Sequence, residues 1–285
     1  MTVCVGVAVN DCIVFAADSA SSLVRTNATT GASEIINVYA NGDKVFNLLK
    51  GHPICAMTCG MGNLGTASIA TLAKELRRRL SNAALADWYV NPDAYTVEEL
   101  AIKARKFFYE ERYQALNPAP PAPHSFEFWV GGYSSDFDAG HEVWKVAIVN
   151  GVCDPPTREL PGGFGWFAGG QPNAIVRLVL GYDQGLPGVL TAAGMPQASV
   201  DTTMAVIQAN CELPMVMPTM PTQDAIDLAD FLVETTKRFV RFLPGADTVG
   251  GETDVAVVTK YEGFKWIRRK YFYPAALNPL ETDHA

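Results

Sequence analysis

Histidine is scarce in this chain, cysteine is unpaired, long apolar runs are missing and positive charge is in deficit. The four histidines (His52, His124, His141, His284) have no ligand-like spacing. The six cysteines (Cys4, Cys12, Cys55, Cys59, Cys153, Cys211) include no C-x-x-C pair. A metal site is therefore not expected. Most of the cysteines sit inside apolar segments, where a free thiol behaves as a small hydrophobe, as suits a reducing compartment. Apolar runs such as Cys12 to Ala17 fall far short of the ~18 residues that mark a membrane span. The opening Met1-Thr2-Val3-Cys4 carries no basic leader, and Asn10-Asp11 interrupts the first apolar stretch. Lys and Arg number 22 against 30 Asp and Glu, a net charge of −8. Such a chain lacks the electrostatic footprint for nucleic acid and has little attraction to anionic membranes. The expectation is a soluble cytoplasmic protein with neither partner.

What the chain has is core material. Hydrophobic residues make up 48% of its 285 positions and charged residues 18%. That argues against disorder and allows two domains or one larger layered domain. Val3, Val5, Val7 and Val9 alternate as on a strand, Asn10-Asp11 signals a turn, and Cys12 to Ala17 returns as a second strand. A two-residue turn pairs residues whose numbers sum to 21, which brings Asp18 opposite Val3.

Residues 19–43 read as an irregular excursion, and Lys44 to Leu49 and Pro53 to Cys59 as short strands. Helices are predicted over Asn63 to Asn82, over Val97 to Leu116 with Thr96 and Glu99 as a capping box, over Asn173 to Gly181, and from a capping Thr222 to Phe242. Strand pairs are predicted over Ser125 to Tyr133 with Glu142 to Asn150, and over Asp254 to Thr259 with Phe264 to Arg269. Residues 182–221 give no clear period. NPAPPAP at 117–123 reads as a stiff connection within one domain. The order strands, helix pair, strands, helices, strands suggests two antiparallel sheets between two helix layers, an α+β four-layer αββα sandwich.

Three groups of residues could carry chemistry. Gly60-Met61-Gly62-Asn63-Leu64-Gly65 is a literal G-x-G-x-x-G, with Asp87 at 22 residues beyond it, as in dinucleotide-binding turns. Two hairpins precede it and no parallel strand leads to Asp87, so a tight turn, or backbone N–H groups at a helix start that hold an oxyanion, are the alternatives. Removal of Met1 would give Thr2 a free α-amine. Such an amine titrates near neutrality and can activate the weakly nucleophilic hydroxyl, although Thr2 also reads simply as a strand's first residue. Lys44 enters an apolar strand. It is either solvated or a buried cation that needs a carboxylate, for which Asp18 is placed. A cation there would hold a nearby amine neutral.

Taken together, Thr2 to Val9, Ile13 to Ser19, Gly42 to Leu48, Pro53 to Gly60 and Gly250 to Val258 resemble proteasome β-type subunits, which are N-terminal-nucleophile hydrolases. Among these the chain is most similar to the bacterial stand-alone proteasome homologues. The resemblance implies Thr2 as nucleophile with its own amine as base, Lys44 to lower the pKa of the nucleophile, Asp18 to orient Lys44, and the Gly60 N–H as oxyanion donor. In the resemblance, Asp247 and Thr248 would stand in for the family's Asp-x-x-Ser-Gly-Gly segment. Three positions depart from the family pattern. Ala20 stands for an arginine, Gly169 for a serine, and Val249 for another serine.

The resemblance further implies a threonine peptidase without cofactor, assembled from copies of itself as stacked heptameric rings. It would act on polypeptides, and an ATPase or other regulator could serve it. A hydrolase of small amides and an inactive ring scaffold are the alternatives. Ser21, Val45, Thr58 and Gly62 would shape its substrate pocket. The hydrolase domain is expected over 1–270 with an insertion at 182–221. A C-terminal extension, 271–285, is expected to pack on a neighbouring subunit.

Overall fold

The computed structural model describes residues 2–26, 33–136 and 139–270. Strand β1 (Val3–Val9) and β2 (Cys12–Ala17) form the expected hairpin, with Cys4 opposite Ala17 and Val9 opposite Cys12. All their residues are buried. The stretch read as irregular instead holds β3 (Ser21–Thr26) and β4 (Ser33–Tyr39), paired antiparallel. Its Ser, Thr and Asn content hid strands that face solvent more than core. β5 (Val45–Asn47) and β6 (Ile54–Gly60) follow as expected.

The glycine run does not open a helix. It leads into a small hairpin of β7 (Asn63–Leu64) and β8 (Ala67–Ser68), and α1 (Ile69–Leu80) starts only there. The Ser68 side chain caps α1 by accepting the Thr71 N–H. α2 (Val97–Arg105) begins at Thr96, whose hydroxyl accepts the Glu99 N–H at 3.0 Å. It continues as a π-helical stretch, Lys106–Tyr113.

Next come β9 (Ser125–Tyr133), β10 (His141–Val149), β11 (Thr157–Glu159) and β12 (Gly165–Gly170). α3 (Asn173–Leu180) ends at a left-handed Gly181. α4 (Leu186–Ala192) and α5 (Gln197–Cys211) occupy the stretch that showed no period. α6 (Thr222–Arg241) is capped from Pro221 without a side-chain bond, so Thr222 is its first helical residue rather than its cap. β13 (Asp254–Thr259) and β14 (Gly263–Arg268) close the described chain. The extension 271–285 lies outside the described residues.

The protein is of mixed α/β type, with antiparallel sheets and, among the described residues, six α-helices. One five-stranded sheet runs β12-β1-β2-β13-β14 and the other β11-β10-β9-β6-β5. Val3, Val5, Val7 and Val9 share a core with Ile175 of α3 and Leu232 of α6. The alternate residues Cys4 and Ala8 share another with Met57 of β6 and Trp129 of β9. Phe126, Phe128 and Val130 of β9 turn away from that core and pack with Leu76 of α1 and Leu100 of α2. Both faces of β1 and β2 are thus covered, which is why their sequences run apolar without interruption. At ~1.5–3 kcal/mol per buried large apolar side chain, this hairpin lies among the best-anchored parts of the chain.

Candidate active site

Thr2 sits one residue before β1 and is 5% exposed. Its carbonyl accepts the Gln171 N–H at 2.8 Å. Opposite Val3 stands Gly170, with φ of +81°, where a Cβ would come within 1.9 Å of the Thr2 carbonyl oxygen. Only glycine allows β12 to approach the start of β1 this closely.

Asp18 directly follows β2, where the hairpin register requires. Its N–H donates to the Val3 carbonyl at 3.2 Å. Its carboxylate is fully buried and accepts four donors, the N–H groups of Val3 at 3.0 Å, Ala20 at 3.0 Å and Gly250 at 2.9 Å, and Lys44 Nζ at 2.6 Å. A carboxylate so completely bonded keeps its charge out of water, and it pins the ammonium that faces it. Lys44 itself is 6% exposed. Its carbonyl accepts the Thr58 N–H at 2.9 Å, which fixes the entry to β5 against β6.

Thr2, Lys44 and Gly60 line one cavity of about 270 Å³. Ser21, Thr58 and Gly62 line it too, whereas Val45 lines an adjoining groove. Gly60 closes β6 with φ of +89°, and a Cβ there would come within 2.2 Å of the Ser125 carbonyl oxygen. Gly60 is a strand end, not a helix start. Asp87 is exposed, and its carbonyl accepts Lys103 Nζ at 3.0 Å. With no helix on the glycine run, the dinucleotide-type turn is overturned.

Packing leaves no room for a side chain at Gly169. A Cβ at Gly169 would meet Trp129 at 2.2 Å and Glu127 Oε2 at 2.7 Å, so these side chains already fill the space. Glu127 Oε2 also accepts the Cys59 thiol at 3.1 Å, and the Cys4 thiol donates to the Thr58 carbonyl at 3.0 Å. The Cys59 thiol is held well above its ordinary pKa by its hydrogen bond with Cys4, then by burial and the Glu127 charge. A thiol kept protonated in this way is a poor nucleophile.

Of the remaining sequence-derived positions, Thr248 is buried, and its hydroxyl lies 3.5 Å from Gln171 Oε1, one residue removed from Thr2. Asp247 is exposed, and no described hydrogen bond joins it to Thr2, Asp18 or Lys44. Gln171, whose N–H holds the Thr2 carbonyl, and Gly250, whose N–H holds Asp18, were not foreseen. Backbone contacts of this kind leave no residue-type signal. Ser19, Asp254 and Lys270 form a second buried polar group beside Asp18. Ser19 and Asp254 lie in segments that the sequence resemblance covers, and Lys270 lies outside them.

Among the described residues no group of three or more His, Cys, Asp or Glu could hold a metal ion, and no helix is long and apolar enough to cross a membrane. No protein-family model matches the chain, and no characterised protein matches it in sequence.

Proposed function

We propose that the protein is an N-terminal-nucleophile hydrolase of the proteasome β type, a threonine peptidase that cuts amide bonds with Thr2. One observation carries this reading. Thr2, Lys44 and Gly60 share a cavity, and the buried Asp18 fixes Lys44 at 2.6 Å. The resemblance of five sequence segments supports it. So does the packing of each large sheet, whose two faces contribute to different cores, as a four-layer αββα sandwich would require.

In this mechanism Met1 is removed, which frees the Thr2 α-amine. The Thr2 hydroxyl attacks the amide carbonyl carbon, and its proton passes to the amine through water. The Lys44 ammonium favours both the alkoxide and the neutral amine, because a nearby positive charge stabilises the first and disfavours a second cation. The tetrahedral oxyanion takes a hydrogen bond from the Gly60 N–H. The C–N bond then breaks, the leaving amine takes the proton, and a water molecule hydrolyses the resulting ester by the same relay.

The test is intact mass after incubation with an epoxyketone or β-lactone. A single adduct on Thr2, absent in Thr2→Ala, is the expected result. A correctly trimmed chain that forms no adduct overturns the reading.

Assembly into rings belongs to the same proposal. Exposed Val189, Val206, Leu213, Met217, Phe231 and Phe242 support a covered outer face. Native mass spectrometry should give a multiple of seven chains, and a monomer would remove the ring.

A further inference from the structure

Among the described residues two lysines are buried, Lys44 and Lys270. The first belongs to the site. The second follows β14 and has no place in the mechanism above, yet its ammonium is bonded to capacity. Lys270 Nζ lies 2.6 Å from Ser19 Oγ and 3.2 Å from the Gly42 carbonyl, and it pairs with the Asp254 carboxylate. Its N–H donates to the other Asp254 oxygen at 3.1 Å. Three partners use the three donors of an ammonium.

The partners lie where the site is assembled. Ser19 directly follows Asp18. Its N–H donates to the Gly250 carbonyl at 2.9 Å, its hydroxyl bonds the Glu252 carbonyl, and its carbonyl accepts the Gly42 N–H at 2.8 Å. Gly42 stands two residues before Lys44. Gly250 returns its own N–H to Asp18 at 2.9 Å. One ammonium therefore ties together the segment that carries Asp18, the segment that carries Lys44, and the segment that donates to Asp18. It does so from behind, because Lys270 does not line the cavity.

Burying a charge pair costs several kcal/mol of desolvation per ion, and a close-packed apolar pair would fill the same volume more cheaply. What an apolar pair could not do is bond a hydroxyl and a carbonyl on two different segments at fixed distances. The geometry points to Lys270 as a positioning residue for the Thr2 chemistry, one that sets where Lys44 and Asp18 stand relative to each other. This inference rests on the proposed function, and its consequence is kinetic. A displacement of Lys44 by a fraction of an ångström weakens the transition state more than it weakens binding in the cavity.

The test uses the full chain carrying Lys270→Met, and the double variant Lys270→Met with Asp254→Asn. The single variant leaves a buried carboxylate alone and should be less stable. The double variant removes that orphan charge and should recover most of the melting temperature. Both are expected to react with a β-lactone about tenfold to a hundredfold more slowly at saturation, with the half-saturating concentration within about twofold of wild type. A double variant with wild-type reactivity, or one whose half-saturation shifts while its maximal rate holds, overturns the role.

A second readout does not depend on Thr2. Amide hydrogen exchange at Ala20 and Gly250, the two donors to Asp18 Oδ2, should quicken by about tenfold or more in the double variant. Unchanged protection overturns the inference. A wild-type chain that forms no adduct but shows this loosening in the variant overturns the hydrolase reading instead, and leaves the network standing.

Discussion

Two parts of this chain obey opposite rules. Every residue of β1 and β2 is buried, and the polar groups that end the hairpin are each met by a partner. Across α4 and α5 one residue, Val200, is buried, and Val189 and Val206 face outward. The hairpin is held by apolar burial on two faces and sets the positions of Thr2 and Asp18. The helical segment adds length while contributing little to any of the three cores. The constraint on the first is internal packing, and the second is where the proposed ring assembly would supply the missing contacts.

The comparison can be broken most directly at Asp18. Asp18→Ala leaves the Lys44 ammonium buried and unpaired. It should cost ~3–5 kcal/mol in denaturant unfolding and abolish adduct formation on Thr2. A loss under 1 kcal/mol would mean that the pair is solvated after all.

Leu232→Ala, on the α6 face packed against β1, should cost about 2–5 kcal/mol in the same measurement. Gly170→Ala forces a side chain into a left-handed position and against the Thr2 carbonyl. It should cost ~2 kcal/mol or more and slow the Thr2 reaction, and unchanged reactivity would detach β12 from the site.

Val206→Ser on α5 should stay within ~0.5 kcal/mol of wild type by unfolding, while weakening self-association if that surface is an interface. The smallest effect is chemical. In the native protein at neutral pH, iodoacetamide should modify Cys211, which is exposed, and spare Cys4 and Cys59, which are buried. Mass mapping of the alkylated chain checks it, and rapid labelling at Cys59 would show that the cleft behind Thr2 opens.

Legibility followed the same division. The alternation in 3–9, the turn at Asn10-Asp11 and the return at 12–17 set a register that needs no other element, so Asp18 beside Val3 could be read directly. The α6 stripe was equally plain. Of its expected residues Ile226, Ala229, Leu232, Val233, Thr236, Phe239 and Val240, all but Phe239 are buried, Phe239 packs partly buried against the same core, and Ala225 joins them. α5 was opaque because its apolar residues follow no single face, and a helix that buries one residue leaves no period to detect. β12 was missed because Gly165, Gly169 and Gly170 lower strand propensity, although Gly169 and Gly170 are what let it lie against Trp129 and the start of β1. The glycine run at 60–65 misled in the opposite direction. It has the spacing of a phosphate turn but is followed by a small hairpin.

The sequence by itself determined the short-range matters. It placed Thr2 and Asp18 at the two ends of one hairpin, marked Lys44 as a charge entering an apolar strand, and held no apolar run long enough for a membrane-spanning helix. Tertiary structure alone decided which groups meet across long separations. Gln171 reaches the Thr2 carbonyl, Gly250 reaches Asp18, and Lys270 reaches Ser19 and Gly42, from 228 to 251 residues away in the case of Lys270. Such contacts form because two sheets bury their faces and bring distant strand ends together. The backbone amides and single side chains that meet there carry no local pattern from which the meeting could be read.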